Sequence, residues 1–223
     1  MTVSRGRSQT GHVVWDWNGT LLDDLPIVVK AVNSALHQFG ELPITADDYR
    51  DHYTRPVRHF YEALMGRVID DDEWLRLDTG FHETYFRLAT TVDLVDDAPA
   101  ALDLVDAAGW TQSLLSMSPQ TWLLGVVDRL DLTHRFARID GLSGPGGGLK
   151  AEYLSAHLQN LGLDGAQVVV IGDTPDDVAA GRHVGARQVL YHGGSHHLER
   201  LHAEDVPVAE SLVEAARMAV SPR

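Results

Sequence analysis

The chain has 223 residues, 44% hydrophobic and 22% charged, with 20 Gly and 9 Pro, a globular composition that excludes collagen-like, low-complexity and coiled-coil architectures. Eighteen basic residues against 32 acidic ones leave a net charge of −14, which repels phosphate backbones and anionic lipid and argues against nucleic-acid or membrane-surface binding. With no cysteine present, disulfides, thiolate metal sites and cysteine nucleophiles are excluded.

Taken in chain order, His12–Trp17 reads as a strand. Ile27–Phe39 reads as a helix, with Val28, Val29, Val32, Ala35, Leu36 and Phe39 on one face and Pro26 where a first turn tolerates proline. Helical segments near Ala46–Tyr53, Val57–Met65 and Asp71–Thr90 follow, acid-rich and with almost no strand signal. Beyond Asp97 the pattern changes to alternation. Pro99–Ala108, Gln120–Leu130, Leu149–Leu161 and Asp176–Val184 have helical period, and Thr111–Ser116, Phe136–Asp140, Gln167–Gly172 and Arg187–Tyr191 read as strands. The run VVVIG is apolar on both faces, as a central parallel strand must be. This alternation predicts an α/β fold, a Rossmann-like doubly wound parallel sheet formed by residues 1–22 and 96–223. Residues 23–95 are expected to form a small all-helical domain inserted after the first strand.

Ligands bind such sheets beyond the carboxyl ends of the strands. There the first strand delivers Asp16-Trp17-Asn18-Gly19-Thr20-Leu21, the second Ser116-Met117-Ser118, and the apolar run Gly172-Asp173-Thr174-Pro175-Asp176-Asp177. Lys150, one of only two lysines with Lys30, opens a helix behind the glycine-rich segment Gly144–Gly148. Facing carboxylates repel unless a cation lies between them, so the arrangement calls for a hard divalent metal with oxygen ligands, Mg²⁺ being the expected ion.

These residues carry a resemblance. DWNGTL, Ser116 in LLSMS, Lys150, and GDTPDD match in order the four motifs of the haloacid dehalogenase superfamily. The chain resembles its phosphatase-type branch, the phosphoglycolate phosphatase-like members with a helical cap. The resemblance implies that Asp16 attacks phosphorus and forms an aspartyl-phosphate. It implies further that Mg²⁺ is held by Asp16, Asp173, Asp177 and the Asn18 backbone carbonyl, that Ser116 binds a phosphoryl oxygen, and that Lys150 neutralises charge. Thr20 and Met117 flank these positions and are expected in substrate binding. The expected substrate is a small phosphorylated metabolite and the expected location the cytoplasm, since no run approaches the ~20 apolar residues of a membrane span and Met1–Gly11 lacks a signal-peptide pattern.

One position departs from the family. Where the phosphatases have a second Asp that protonates the leaving group, this chain has Asn18, and an amide does not exchange a proton at neutral pH. Loss of a general acid–base removes ~10²–10⁴ in rate, so a slow phosphatase, a preference for good leaving groups, or a donor borrowed from the cap is expected. His52, Tyr53 and His59 are the candidate donors, and Asn18→Asp is expected to raise turnover of alkyl phosphates.

Duller readings compete with each feature. Asn18-Gly19 is also a strong hairpin signal. Asp173, Asp176 and Asp177 are also what a helix N-terminus favours. Arg55 and Arg58 either reach an anionic group of the substrate or pair with nearby acids. His192, His196 and His197 match no ligand spacing and read as a solvated loop. Phe60, Tyr61, Trp74 and Phe81 read as helix packing, and Gly144–Gly148 lacks the closing Gly-Lys-Ser/Thr of a phosphate-binding loop. Three other functions stay open: a metal-independent dehalogenase, a phosphonate-cleaving relative using Lys30, and a weakly catalytic or non-catalytic phospho-ligand binder.

Overall fold

A computed structural model describes residues 11–143 and 149–221; the Gly144–Gly148 segment lies outside them. Strands β1 (His12–Trp15), β2 (Thr111–Pro119), β3 (Ile139–Leu142), β4 (Val168–Gly172), β5 (Arg187–Tyr191) and β6 (Val208–Ala209) form one sheet in the order β3-β2-β1-β4-β5-β6. Every pairing is parallel. β1 is therefore flanked by β2 and β4, and the chain leaves it in one direction along the sheet and returns on the other side, which makes a crevice at their carboxyl ends.

The period-2 alternation of the strands sorts their side chains between two helical layers. Val13, Trp15, Leu114, Val169 and Ile171 pack with α5 (Ala98–Ala107), α6 (Gln120–Arg129) and α10 (Leu212–Val220). Val14, Leu115, Val168 and Val170 face α7 (Lys150–Leu161) and α8 (Pro175–Val184) on the other side. The helix α9 (Leu198–His202), with β6 and α10, completes the carboxyl-terminal part that the sequence pattern did not reveal. Beneath the sheet, on the α7 side, runs a buried polar chain: His12 Nδ1 meets Thr111 Oγ1 and His12 Nε2 meets Ser113 Oγ, each at 2.7 Å. Ser113 Oγ meets His157 Nε2 at 2.7 Å, and His157 Nδ1 meets Asp140 at 2.7 Å.

Between β1 and the crossover helix α5 lie four further α-helices, α1 (Leu25–His37), α2 (Ala46–His52), α3 (Val57–Met65) and α4 (Asp71–Leu88). Capping boxes at Thr45/Asp48 and Asp70/Glu73 start α2 and α4, satisfying backbone donors reciprocally. Leu36, Tyr49, Phe60, Tyr61, Ile69 and Leu77 give this insertion a core of its own, with Trp74 and Phe81 at its margin. The aromatic residues are packing, as the periodicity implied. Ala31, Tyr85 and Ala89 belong instead to the main core, so the insertion is continuous with the sheet domain at its base.

Candidate active site

The register of the sheet sets the geometry. Trp15 is level with Leu114 and with Ile171, so Asp16 emerges beside Leu115 and Gly172, one step past the end of β1. Its backbone N–H donates to the Ile171 carbonyl at 2.8 Å, fixing that step. The β2–β3 register shifts between Leu115 and Pro119, an irregularity of the kind that re-aims side chains next to active sites, and it lies at Ser116, Met117 and Ser118. The hairpin reading of Asn18-Gly19 does not hold: Leu22 N–H donates to the Trp17 carbonyl at 2.9 Å, the segment is a tight loop, and α1 begins at Leu25.

Asp16, Asp173 and Asp177 are all buried, and one oxygen of each lies within 4.8 Å of the others, the only such acidic group among the described residues. Lys150, 5% exposed, bonds Asp16 Oδ1 and lies 2.5 Å from Asp177 Oδ1. Thr20 Oγ1 is 3.3 Å from both Asp16 Oδ2 and Asp173 Oδ1, with one proton to give. Burial holds the Asp16 carboxyl above the usual range against the opposing charge of Lys150. Burial, then the charges of Asp16 and Asp177, push Asp173 up as well. Burial alone would lower the Lys150 ammonium, but the two carboxylates outweigh it and hold it above its ordinary value. Three buried acids facing one lysine make a donor set of hard oxygens short of positive charge, and a divalent cation such as Mg²⁺ fits it.

The helix-start alternative for the acidic run resolves in a divided way. Thr174 is the N-cap of α8, and Asp177 closes the capping box, accepting from Thr174 Oγ1 at 2.6 Å and Thr174 N at 3.1 Å through Oδ2. Its other oxygen meets Lys150, so one side chain caps the helix and faces the pit.

The loop after β5 is solvated only in part: Gly193 is exposed and His192 and His197 are half-buried. Gly194 and His196 are buried, and Ser195 N–H donates to Asp173 Oδ2 at 2.7 Å. Gly194 has to be glycine, since a Cβ there would sit 2.1 Å from Asp173 Oδ2. Gly19 has φ +71°, and its Cβ would meet the same oxygen at 2.7 Å. The helical insertion covers the loop from outside: Arg50 Nε donates to the Gly194 carbonyl at 3.1 Å, His197 is 3.2 Å from Asp51, and the His196 ring lies against Tyr53. No motif signals this loop; only the pairing of two glycines ahead of a polar residue after the last long strand hints at close backbone approach.

The remaining sequence-derived residues separate. Arg55 lies at the site, 3.7 Å from Asp176 and within the field of Asp16, with a hydrogen bond to Tyr53. Arg58 does not; its guanidinium bonds Asp71 at 2.7 Å and the Ile69 carbonyl, so the pairing alternative holds for it. Among the candidate donors, His52 turns back on the Asp48 carbonyl and His59 pairs with Glu62, both on the exposed surface of the insertion. Tyr53 alone is half-buried near Asp173 and Asp176, where desolvation raises its phenol. Met117 is half-buried between the serines. Asn18 contacts Ser116 and Ser118 on one side and Asp24 and Tyr85 on the other; sequence reasoning placed Ser118 at the strand end without a role and gave none to Asp24 or Tyr85.

A family model described as haloacid dehalogenase-like hydrolase matches residues 10–185. The chain belongs to the haloacid dehalogenase-like hydrolases. Among curated members it is similar to the phosphoglycolate phosphatase of Aliivibrio fischeri, 24% identical over 207 residues, covering 84% of this chain and 86% of the relative. It is also similar to the N-acetylmuramic acid 6-phosphate phosphatase of Pseudomonas aeruginosa, 25% identical over 206 residues, with 90% and 88% covered. Its fold is that of a haloacid dehalogenase-like family protein from Streptococcus pneumoniae, with TM-score 0.80, 18% identity, and 95% and 99% of the two chains covered. CbbY from Rhodobacter sphaeroides, solved with phosphate, shares the fold at TM-score 0.71 and 13% identity, over 92% and 96% of the chains. The expected α/β Rossmann-like architecture and family membership are thus both met.

Proposed function

We propose that the protein is a Mg²⁺-dependent phosphatase acting on a small phosphorylated metabolite through an aspartyl-phosphate on Asp16. The observation that carries this reading is the convergence of Asp16, Asp173 and Asp177 on one point with Lys150 between two of them. Asp16, Asp173, Asp177 and the Asn18 backbone carbonyl would hold the cation. When bound, Mg²⁺ supplies positive charge against the phosphoryl oxygens, which is most of what phosphoryl transfer requires.

Asp16 attacks phosphorus and the P–O bond to the leaving alcohol breaks, the alcohol taking its proton from solvent; water then cleaves the aspartyl-phosphate, releasing phosphate and restoring the carboxylate. Lys150 keeps Asp16 ionised in spite of burial and offsets charge on the transferring group. Ser116 donates its hydroxyl to a phosphoryl oxygen, and Thr20 steadies Asp16 and Asp173 through its single proton. Met117 lines the substrate side. Residues 23–95 act as a cap, from which Arg55 reaches an anionic group of the substrate and Tyr53 closes the wall. The buried carboxylates argue against a metal-independent dehalogenase, since unscreened they would repel an anionic substrate. Lys30 lies exposed on α1 and has no place in this site. No described helix is long and apolar enough to cross a membrane, and a cytoplasmic location forms part of the proposal.

The test is phosphate release from aryl, acyl and alkyl phosphates with Mg²⁺, with Asp16→Ala as the blank. Release above the blank that disappears with chelator is expected. Release equal to the blank on every ester, with Mg²⁺ bound, would overturn the reading in favour of a phospho-ligand binder.

A further inference from the structure

Asn18 stands where the family resemblance calls for an acid, and the residues around it account for the exchange. Asp24, 1% exposed, lies at the start of α1 and takes three donors on its two oxygens. Gly19 N–H reaches Oδ1 at 2.9 Å, while Asn18 Nδ2 at 2.7 Å and Tyr85 OH at 2.6 Å reach Oδ2. Tyr85 comes from α4, and because its proton goes to Asp24, its oxygen is free to accept from Asn18 Nδ2 at 2.7 Å. Both neighbours on this side therefore accept from position 18, and the NH₂ end of an amide supplies the two protons where an ionised carboxylate supplies none. On the other side Asn18 Oδ1 accepts from Ser118 Oγ at 2.8 Å and Ser116 Oγ at 3.3 Å. Ser116 Oγ in turn accepts from Ser118 N–H at 3.0 Å. The amide is read from the hydrogen-bond pattern in one orientation only.

We propose that Asp24, backed by Tyr85, is the positioning residue for Asn18: it dictates an amide at position 18 and turns the amide oxygen toward Ser116 and Ser118. Rather than simply lacking an acid, the site has its carboxyl at 24 and its amide at 18. A carboxyl at 18 in the native background would set acceptor oxygens against those of Asp24 at about hydrogen-bond distance, where two carboxylates cannot both stay charged. The expectation that Asn18→Asp alone improves turnover is thereby revised. The improvement requires Asp24→Asn as well, so that the amide at 24 donates to the new carboxyl and leaves it facing the serines. This inference rests on the proposed phosphatase function for its catalytic part and on geometry alone for the pairing.

The experiment is a four-protein cycle of wild type, Asn18→Asp, Asp24→Asn and the double variant, each read in two ways. In thermal melting, each single variant is expected to lose on the order of 5–10 °C, and the double variant to recover most of it. Where Asn18→Asp alone does not fold, folding of the double variant is the same rescue. In Mg²⁺-dependent phosphate release, the ratio of rates on glycerol phosphate and p-nitrophenyl phosphate is expected to stay within about twofold of wild type in Asn18→Asp. In the double variant it should rise at least ~10-fold, the lower part of the range for a general acid. A double variant that melts no higher than the single ones overturns the pairing. Rescue in melting with no change in the ratio makes the contact a structural clamp and overturns the positioning role. If wild type releases no phosphate, the phosphatase function and this catalytic role fail together, and the melting cycle still decides the pairing without substrate.

Discussion

Replacing Lys150 with methionine tests the electrostatics of the acidic pit directly. The ammonium bonds Asp16 and is ion-paired with Asp177, and all three side chains are at most one-tenth exposed. Methionine keeps much of the stem volume, so packing changes little while the charge is lost. Removing one partner of a buried ion pair costs about 3–5 kcal/mol, because the remaining charge is left uncompensated; two carboxylates share this lysine, which places the expected loss at the upper end. For a chain of this length that corresponds to roughly 10–20 °C in Tm. The assay is urea unfolding of both proteins in EDTA and again with Mg²⁺. The variant should be weaker in EDTA by several kcal/mol, and Mg²⁺ should recover part of the loss by replacing the missing charge. Equal stability of the two proteins in EDTA would refute the reasoning, since it would mean that Asp16 and Asp177 do not depend on Lys150 for compensation.

Two further outcomes follow from other parts of the molecule. Burial, then the neighbouring His157, lower the His12 pKa to about 4 from 6.5, so the folded protein holds His12 neutral where the unfolded chain takes up a proton. The resulting stability is complete above pH 6.5 and is lost as pH falls toward 4; unfolding at pH 7.5 and pH 5 should show wild type losing about 2 kcal/mol relative to His12→Gln, and identical pH slopes would contradict it. Arg55→Ala should raise KM by ~10-fold or more for a substrate with an anionic group beyond its phosphate, the worth of a charge-assisted hydrogen bond, with kcat changed less; steady-state kinetics on substrates with and without that group check it.

The parts of the fold legible in the sequence are those whose pattern is local. VVVIG announced a strand buried on both sides, and the periodic face of α1 announced a helix, because burial and period are written in consecutive residues. The two-residue β6 and the five-residue α9 were not legible, being too short for any period to register. At the site the same division holds. Asp16, Ser116, Lys150, Asp173 and Asp177 were legible as candidates because each lies toward the carboxyl end of a strand or at the start of a helix in a spaced motif. Asp24 and Tyr85 escaped because their role comes from a contact 61 residues apart in the chain. Arg58 was misplaced for a related reason: the sequence shows an arginine near the site in the chain, but its partner Asp71 is brought to it only by the turn between α3 and α4. The loop at 192–197 looked exposed because nothing local reveals that α2 lies over it.

That overlay limits how the enzyme can be remodelled. The loop whose backbone holds Asp173 is gripped from its other side by Arg50, Asp51 and Tyr53 of the insertion, while Tyr85 reaches Asn18 from α4. A chimera that exchanged residues 23–95 for the corresponding segment of a relative would cut all of these contacts at once, at both the Asn18 loop and the loop that holds Asp173. A new selectivity filter could therefore not be fitted as an interchangeable part. Residues 192–197 and the Asn18 loop would have to travel with it, so that under the proposed cap role substrate choice would be inherited together with the scaffold of the chemistry.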